Sequence, residues 1–233
     1  MSNAHDIDRF PIERTARRRL PAQRANEPLE RILTAAERAE MIDAATVKLE
    51  ELFDIFQIDH RNDHNTRDTP RRVAAMYVND LMHGRYHAPP SITEFDNVGG
   101  FDDMLVVGPI SVRSTCAHHL LPIYGHAFIG VLPSVDGKLL GLSKYDRIVD
   151  HFASRLQLQE ELVKQIGTFI AERTAARGLA VRVSAVHMCK TQRGVRSGHD
   201  GRMVTTAYFG AAQHDAGFKD MFLRECLGLE SRG

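Results

Sequence analysis

Apolar residues recur at helical intervals through the first third of the chain. Met41, Ile42, Ala45, Leu49, Leu52, Phe53 and Phe56 make one stripe, and Thr34 with Glu37 ahead of it has the spacing of a capping box. A second helix is predicted from Thr69-Pro70, a capping hydroxyl followed by proline at the first helical position. It carries Val73, Met76, Tyr77 and Leu81 on one side, with Gly84 as its stop. The period then changes. Residues 104–113 read as a strand with Gly108-Pro109 marking a bulge or edge inside it, and residues 125–132 read as a second strand. Asp136-Gly137 supplies a tight turn. A helix beginning at Ser143 buries Tyr145, Ile148, Val149 and Phe152. Another, from about 157 to 177 and closed by Gly178, buries Leu158, Leu162, Ile166, Phe169 and Ile170. Alternation returns at Val181, Val183 and Ala185, with Arg182, Ser184 and Val186 on the other side. Residues 203–210 form the last predicted strand, and a short helix at 218–227 closes the chain, with Cys226 as a small buried hydrophobe.

Two strands, two helices and two strands, preceded by a helical pair, describe an α+β fold with helices on one face of an antiparallel sheet. The expected divisions are a basic arm over 1–26, solvated and mobile, a helical region over 27–92 and the α+β domain over 93–233. A four-stranded sheet leaves two open edges, which pairing between copies in a closed ring would satisfy.

Composition narrows the setting. The chain has no run of about eighteen apolar residues, so no membrane span is expected. No apolar segment follows the charged start, so no secretory signal is expected either. Three cysteines in 233 residues argue against a disulfide framework and for a cytoplasmic setting. Thirty basic and thirty acidic residues cancel, which argues against nucleic acid as a partner.

The chemistry gathers at Ser114-Thr115-Cys116-Ala117-His118-His119. If this turn is helical, Cys116 and His119 share a face and His118 points elsewhere, free for acid–base work. In the predicted strand further on, period two puts His187 and Cys189 on one face. Cys116, His119 and Cys189 are a ligand set suited to zinc, with a fourth position left for a reactive water. Lys144 and Arg147 lie off the buried stripe at a helix start and read either as a phosphate cradle or as solvated cations. Gln159 and Glu160, in a first helical turn, read either as partners for the edge of a base or as caps. Arg193-Gly194 is a turn with a cation at its tip, followed by a polar loop over 197–201.

The segments TPRRVAAMYV, STCAHHLLPIYG, GLSKYDRIVDHFASRLQLQE and AVHMCKTQRG, in this order and spacing, resemble GTP cyclohydrolase I. The resemblance runs from about Thr69 to Leu227. It implies the tunnelling fold, ββααββ, with subunits pairing sheet edges into pentamers that stack as a homodecamer, and active sites between subunits. It implies Zn2+ on Cys116, His119 and Cys189, and His118 and His187 as catalytic residues. Ser143, Lys144, Arg147 and Arg193 would hold triphosphate and ribose, and Gln159 and Glu160 would grip guanine. The implied reaction converts GTP and water to formate and 7,8-dihydroneopterin triphosphate. One position departs from the family pattern: Ala117 stands where a glutamate is usual. A divergent purine nucleotide hydrolase that stops at a ring-opened formamide, or prefers another nucleotide, is therefore a second reading. A non-catalytic nucleotide-binding oligomer is a third.

Overall fold

Helix α1 (Ala35–Ile55) starts where the sequence sets a reciprocal cap. The Glu37 amide donates to Thr34 Oγ1 at 3.2 Å, and the Thr34 amide donates to Glu37 Oε2 at 2.9 Å. The computed structural model describes residues 23–231, so most of the predicted basic arm, residues 1–22, lies outside the described residues. α1 packs its N-terminal half on α2 (Thr69–Ala75) and the turn after it, with Ile42, Ala74 and Val78 in one buried cluster, whereas Leu52 and Phe56 of the predicted stripe stay exposed.

The second predicted helix is three pieces. After α2 the chain widens into a π-helical turn over Met76–Leu81, closed by the Met82 amide on Tyr77 O at 2.9 Å, before α3 (His83–Tyr86). Ala74 and Val78, four residues apart, face the core, while Met76 of the predicted stripe is exposed. Gly84 does not end the helix but sits inside α3, where a Cβ would lie 1.8 Å from His151 O. Its role is close approach of backbone to backbone.

In the main sheet β2 (Leu105–Cys116), β3 (Pro122–Leu132), β6 (Gly178–His187) and β7 (Arg202–Gly210) lie side by side in that order, each antiparallel to the next. The register shifts between Val107 and Ile110, where Gly108-Pro109 forms the predicted irregularity. Two features were absent from the sequence expectation. A side ribbon pairs β1 (Glu94–Asp96) with β4 (Lys138–Leu140), and β5 (Leu156–Gln157) adds two residues parallel to the end of β2. Such short strands carry too few residues to show a period.

α4 (Leu142–Ala153) and α5 (Gln159–Thr174) cover one face, burying Ile148, Val149, Leu162, Ile166 and Ile170 against Val181, Val183 and Ala185. The boundaries differ from expectation at both helices. Gly141, not Ser143, occupies the cap position of α4, and α5 stops at Ala175 in a left-handed conformation, leaving Gly178 to open β6. α7 (Ala216–Glu230) packs on the opposite face, with Phe222 and Cys226 against Phe128 and Ala180. Burial pushes the Cys226 thiol up to about 12, in keeping with a packing role. Phe222 fits there because Gly130 is bare: a Cβ on Gly130 would stand 2.5 Å from the ring. Phe222→Ala should therefore cost about 3–5 kcal/mol, read as a lowered denaturant midpoint with the slope unchanged.

Candidate functional site

Three strand ends meet at one edge of the sheet. β2 ends at Cys116, the chain reverses through 117–121, and β3 begins at Pro122, opposite Thr115. β3 then sets Ile123 opposite His187, the last residue of β6. The reversal is one helical turn, with the Leu120 amide on Cys116 O at 2.9 Å and Leu120 in the left-handed region at φ 55. The Tyr77 hydroxyl braces it from the π-helical turn, donating to Leu120 O at 3.0 Å. Nothing in the sequence signals that contact.

Cys116, His119 and Cys189 offer ligand atoms that all lie within 4.8 Å of one another. The sequence expectation for Cys189 was right about convergence and wrong about its cause. β6 stops at His187, and Cys189 sits on α6 (Met188–Thr191), a helical turn, so it does not share a strand face with His187. Cys116 is buried, Cys189 half-buried and His119 exposed. Burial raises the Cys189 thiol pKa, the adjoining Cys116 adds to the rise, and Arg193 opposes it. A divalent cation would relieve that by replacing the Cys189 proton. Among the described residues no fourth His, Cys, Asp or Glu joins the group. The donor set therefore fits zinc with one position left to a small ligand.

Around this group the structure brings together some predicted residues and separates others. His118 is exposed, with Nδ1 4.0 Å from Cys116 Sγ and its ring 6.2 Å from that of His119. His187 is half-buried, and that burial lowers its pKa, with Lys190 adding to the fall and Glu160 opposing it. Glu160 is exposed in the first turn of α5, which β5 delivers to this edge. There the Ala117 amide donates to Gln157 O at 3.1 Å. Arg193 is exposed beyond Cys189.

Gln159 is placed differently from the sequence expectation of a base-gripping amide. It is 1% exposed, and its side chain is engaged with the protein on both ends. Nε2 donates to Met203 O at 2.9 Å, Val183 O at 3.1 Å and Thr205 Oγ1 at 3.1 Å, while Oε1 lies 2.8 Å from His187 Nε2.

Ser143, Lys144 and Arg147 do not join the group within one chain. They occupy the first turns of α4, whereas the far end of that helix is tied to the metal edge by Ser114 Oγ donating to Ala153 O at 2.7 Å. Nine residues of helix separate Lys144 from Ala153, about 14 Å along the axis.

The chain matches the family model described as GTP cyclohydrolase I over residues 45–227. It is 42% identical over 151 residues to GTP cyclohydrolase 1 of Brucella anthropi, covering 64% of this chain and 69% of that protein. Against GTP cyclohydrolase 1 of Shewanella oneidensis the identity is 37% over 195 residues, covering 83% and 87%. No described helix is long and apolar enough to cross a membrane.

Zinc content after dialysis against a chelator and one round of reloading tests the triad. The parent protein should retain about one zinc per chain, and Cys189→Ser and His119→Ala should each fall below about a tenth of that, because two protein ligands hold the ion poorly.

Proposed function

The chain belongs to the GTP cyclohydrolase I family, and from that membership we propose that it opens the purine ring of GTP at C8 with zinc and water. Formate leaves, and the remainder rearranges to 7,8-dihydroneopterin 3'-triphosphate, the first step of pterin and tetrahydrofolate biosynthesis in the cytoplasm. The observation that carries this reading is the meeting of Cys116, His119 and Cys189 from two distant segments, with His187 two residues from Cys189 and His118 beside Cys116.

Zinc held by the triad would supply a water of lowered pKa and a Lewis acid at the carbon to be lost. The chain's own residues do the rest. His187, partly shielded from solvent and favoured neutral by that burial, exchanges a proton with the imidazole nitrogen N7 of the base. His118, exposed beside Cys116, serves the later proton transfers that ring opening, sugar rearrangement and reclosure require. Glu160 accepts from the N–H edge of guanine, and Arg193 faces ribose and phosphate.

Ser143, Lys144 and Arg147 act on a nucleotide seated at a neighbouring copy's triad. Their distance from their own metal group supports this division. Pairing of the open sheet edges into stacked pentamers, a homodecamer, is the assembly that would complete each site.

Ala117 favours a second reading, in which a carboxylate normally beside the metal is missing and the reaction stops at a ring-opened formamide. Incubating the zinc-loaded protein with GTP, and following formate together with pterin fluorescence after oxidation, separates the two. Both products support the full conversion, and formate absent with a formamide accumulating supports arrest. His187→Ala should keep its zinc and lose at least about a hundredfold in turnover. Ala117→Glu should leave zinc content unchanged and alter kcat by less than about tenfold if the full conversion already runs; a larger gain would favour the arrested product.

A further inference from the structure

A buried glutamine amide can be oriented from its neighbours, and Gln159 allows one orientation. Val183 O and Met203 O only accept hydrogen bonds, so the atom facing both of them must be the NH2 group. Oε1 is thereby turned to His187 and has no proton to give. The 2.8 Å contact requires a proton on His187 Nε2. Among the described residues, Nδ1 of that ring has no hydrogen-bond partner.

We infer that Gln159 is a positioning residue. Its carbonyl oxygen accepts from Nε2 of His187, which holds the ring in the Nε2–H tautomer and leaves Nδ1 as the nitrogen with the open lone pair. The anchorage suits this role. Gln159 opens α5, and its amide nitrogen joins that helix to both β6 and β7, so the oxygen facing His187 rests on three elements rather than on a mobile side chain. Fixing one ring nitrogen through its partner decides which face of an imidazole is reactive. An amide does this without adding a charge beside the metal group, as a carboxylate in its place would. Glu160, the exposed neighbour, is left as the residue of the pair that meets the base.

This inference rests on the catalytic role given to His187 above, and two measurements separate the two. In protein labelled with 15N-histidine, loaded with zinc and free of nucleotide, magic-angle-spinning spectra report the tautomer. His187 is identified as the resonance pair missing from His187→Ala. A protonated Nε2 with a bare Nδ1 is expected, and the opposite tautomer overturns the inference whether or not GTP is consumed. In kinetics, Gln159→Leu should keep its zinc and lower kcat by about 10–100-fold while KM for GTP stays within about twofold, with both tautomers now visible. A rise in KM with kcat retained overturns the inference and returns Gln159 to base binding. If the leucine variant does not fold, the spectrum of the parent protein still decides. A parent protein that shows the expected tautomer but turns over no GTP would refute the reaction and leave the positioning contact standing.

Discussion

Thr115 facing Pro122 and Ile123 facing His187 are register partners, and together they force the ends of β2, β3 and β6 to the same edge of one sheet. Neighbouring strands lie about 4.8 Å apart, so residues just beyond these pairs cannot stray far from one another. The sulfur of Cys116, a ring nitrogen of His119 and the sulfur of Cys189 come within ligand distance because of this alignment. A one-residue slip would turn every side chain of a strand to the other face. Burial on both sides of β6 guards against it, through Val181, Val183 and Ala185 on one face and Ala180 on the other.

The N-terminal helices support that edge from behind. Arg155 is 3% exposed and donates to Gly84 O at 3.1 Å, Asn26 O at 3.2 Å and His151 Nε2 at 2.9 Å. Burial, with Arg85 nearby, pulls its pKa to about 10, which still leaves the guanidinium charged at neutral pH. His151 is pulled to about 4 by its own burial and by Arg155, so it accepts the hydrogen bond as a neutral ring. A charge held by neutral acceptors is costly to bury, and losing any acceptor would add to that cost. Gln165 also donates to Asn26 O, at 3.1 Å, and accepts from Gln157 at 2.9 Å. Gln157 in turn accepts the Ala117 amide through its backbone. The segment before α1 is thus connected, bond by bond, to the turn that follows Cys116 and carries His119.

The same topology underlies the proposed division of the site between copies. The last residue of α4 meets the triad edge through Ser114, while Lys144 and Arg147 stand towards its start. The proposed division between copies follows from the length of a helix rather than from any special feature of the cations.

Much of this was legible in the residues themselves. The capping pair Thr34 and Glu37, the helix stripe of Tyr145, Ile148 and Val149, the irregularity at Gly108-Pro109 and the order of strands and helices follow from local chemistry and period. The types and spacing of Cys116, His119 and Cys189 pointed to a candidate ligand group, whose atoms the structure brings within 4.8 Å of one another. Tertiary structure decided the rest. The π-helical turn at Met76–Leu81 and the left-handed close of α5 at Ala175 answer to packing that no local window contains. Cys189 reaches the triad on a helical turn rather than by strand alternation. Gln159 carries the same amide whether it faces a base or a histidine. Its neighbours Val183, Met203, Thr205 and His187 are 24 or more residues away in sequence, and their positions alone fix which way it points.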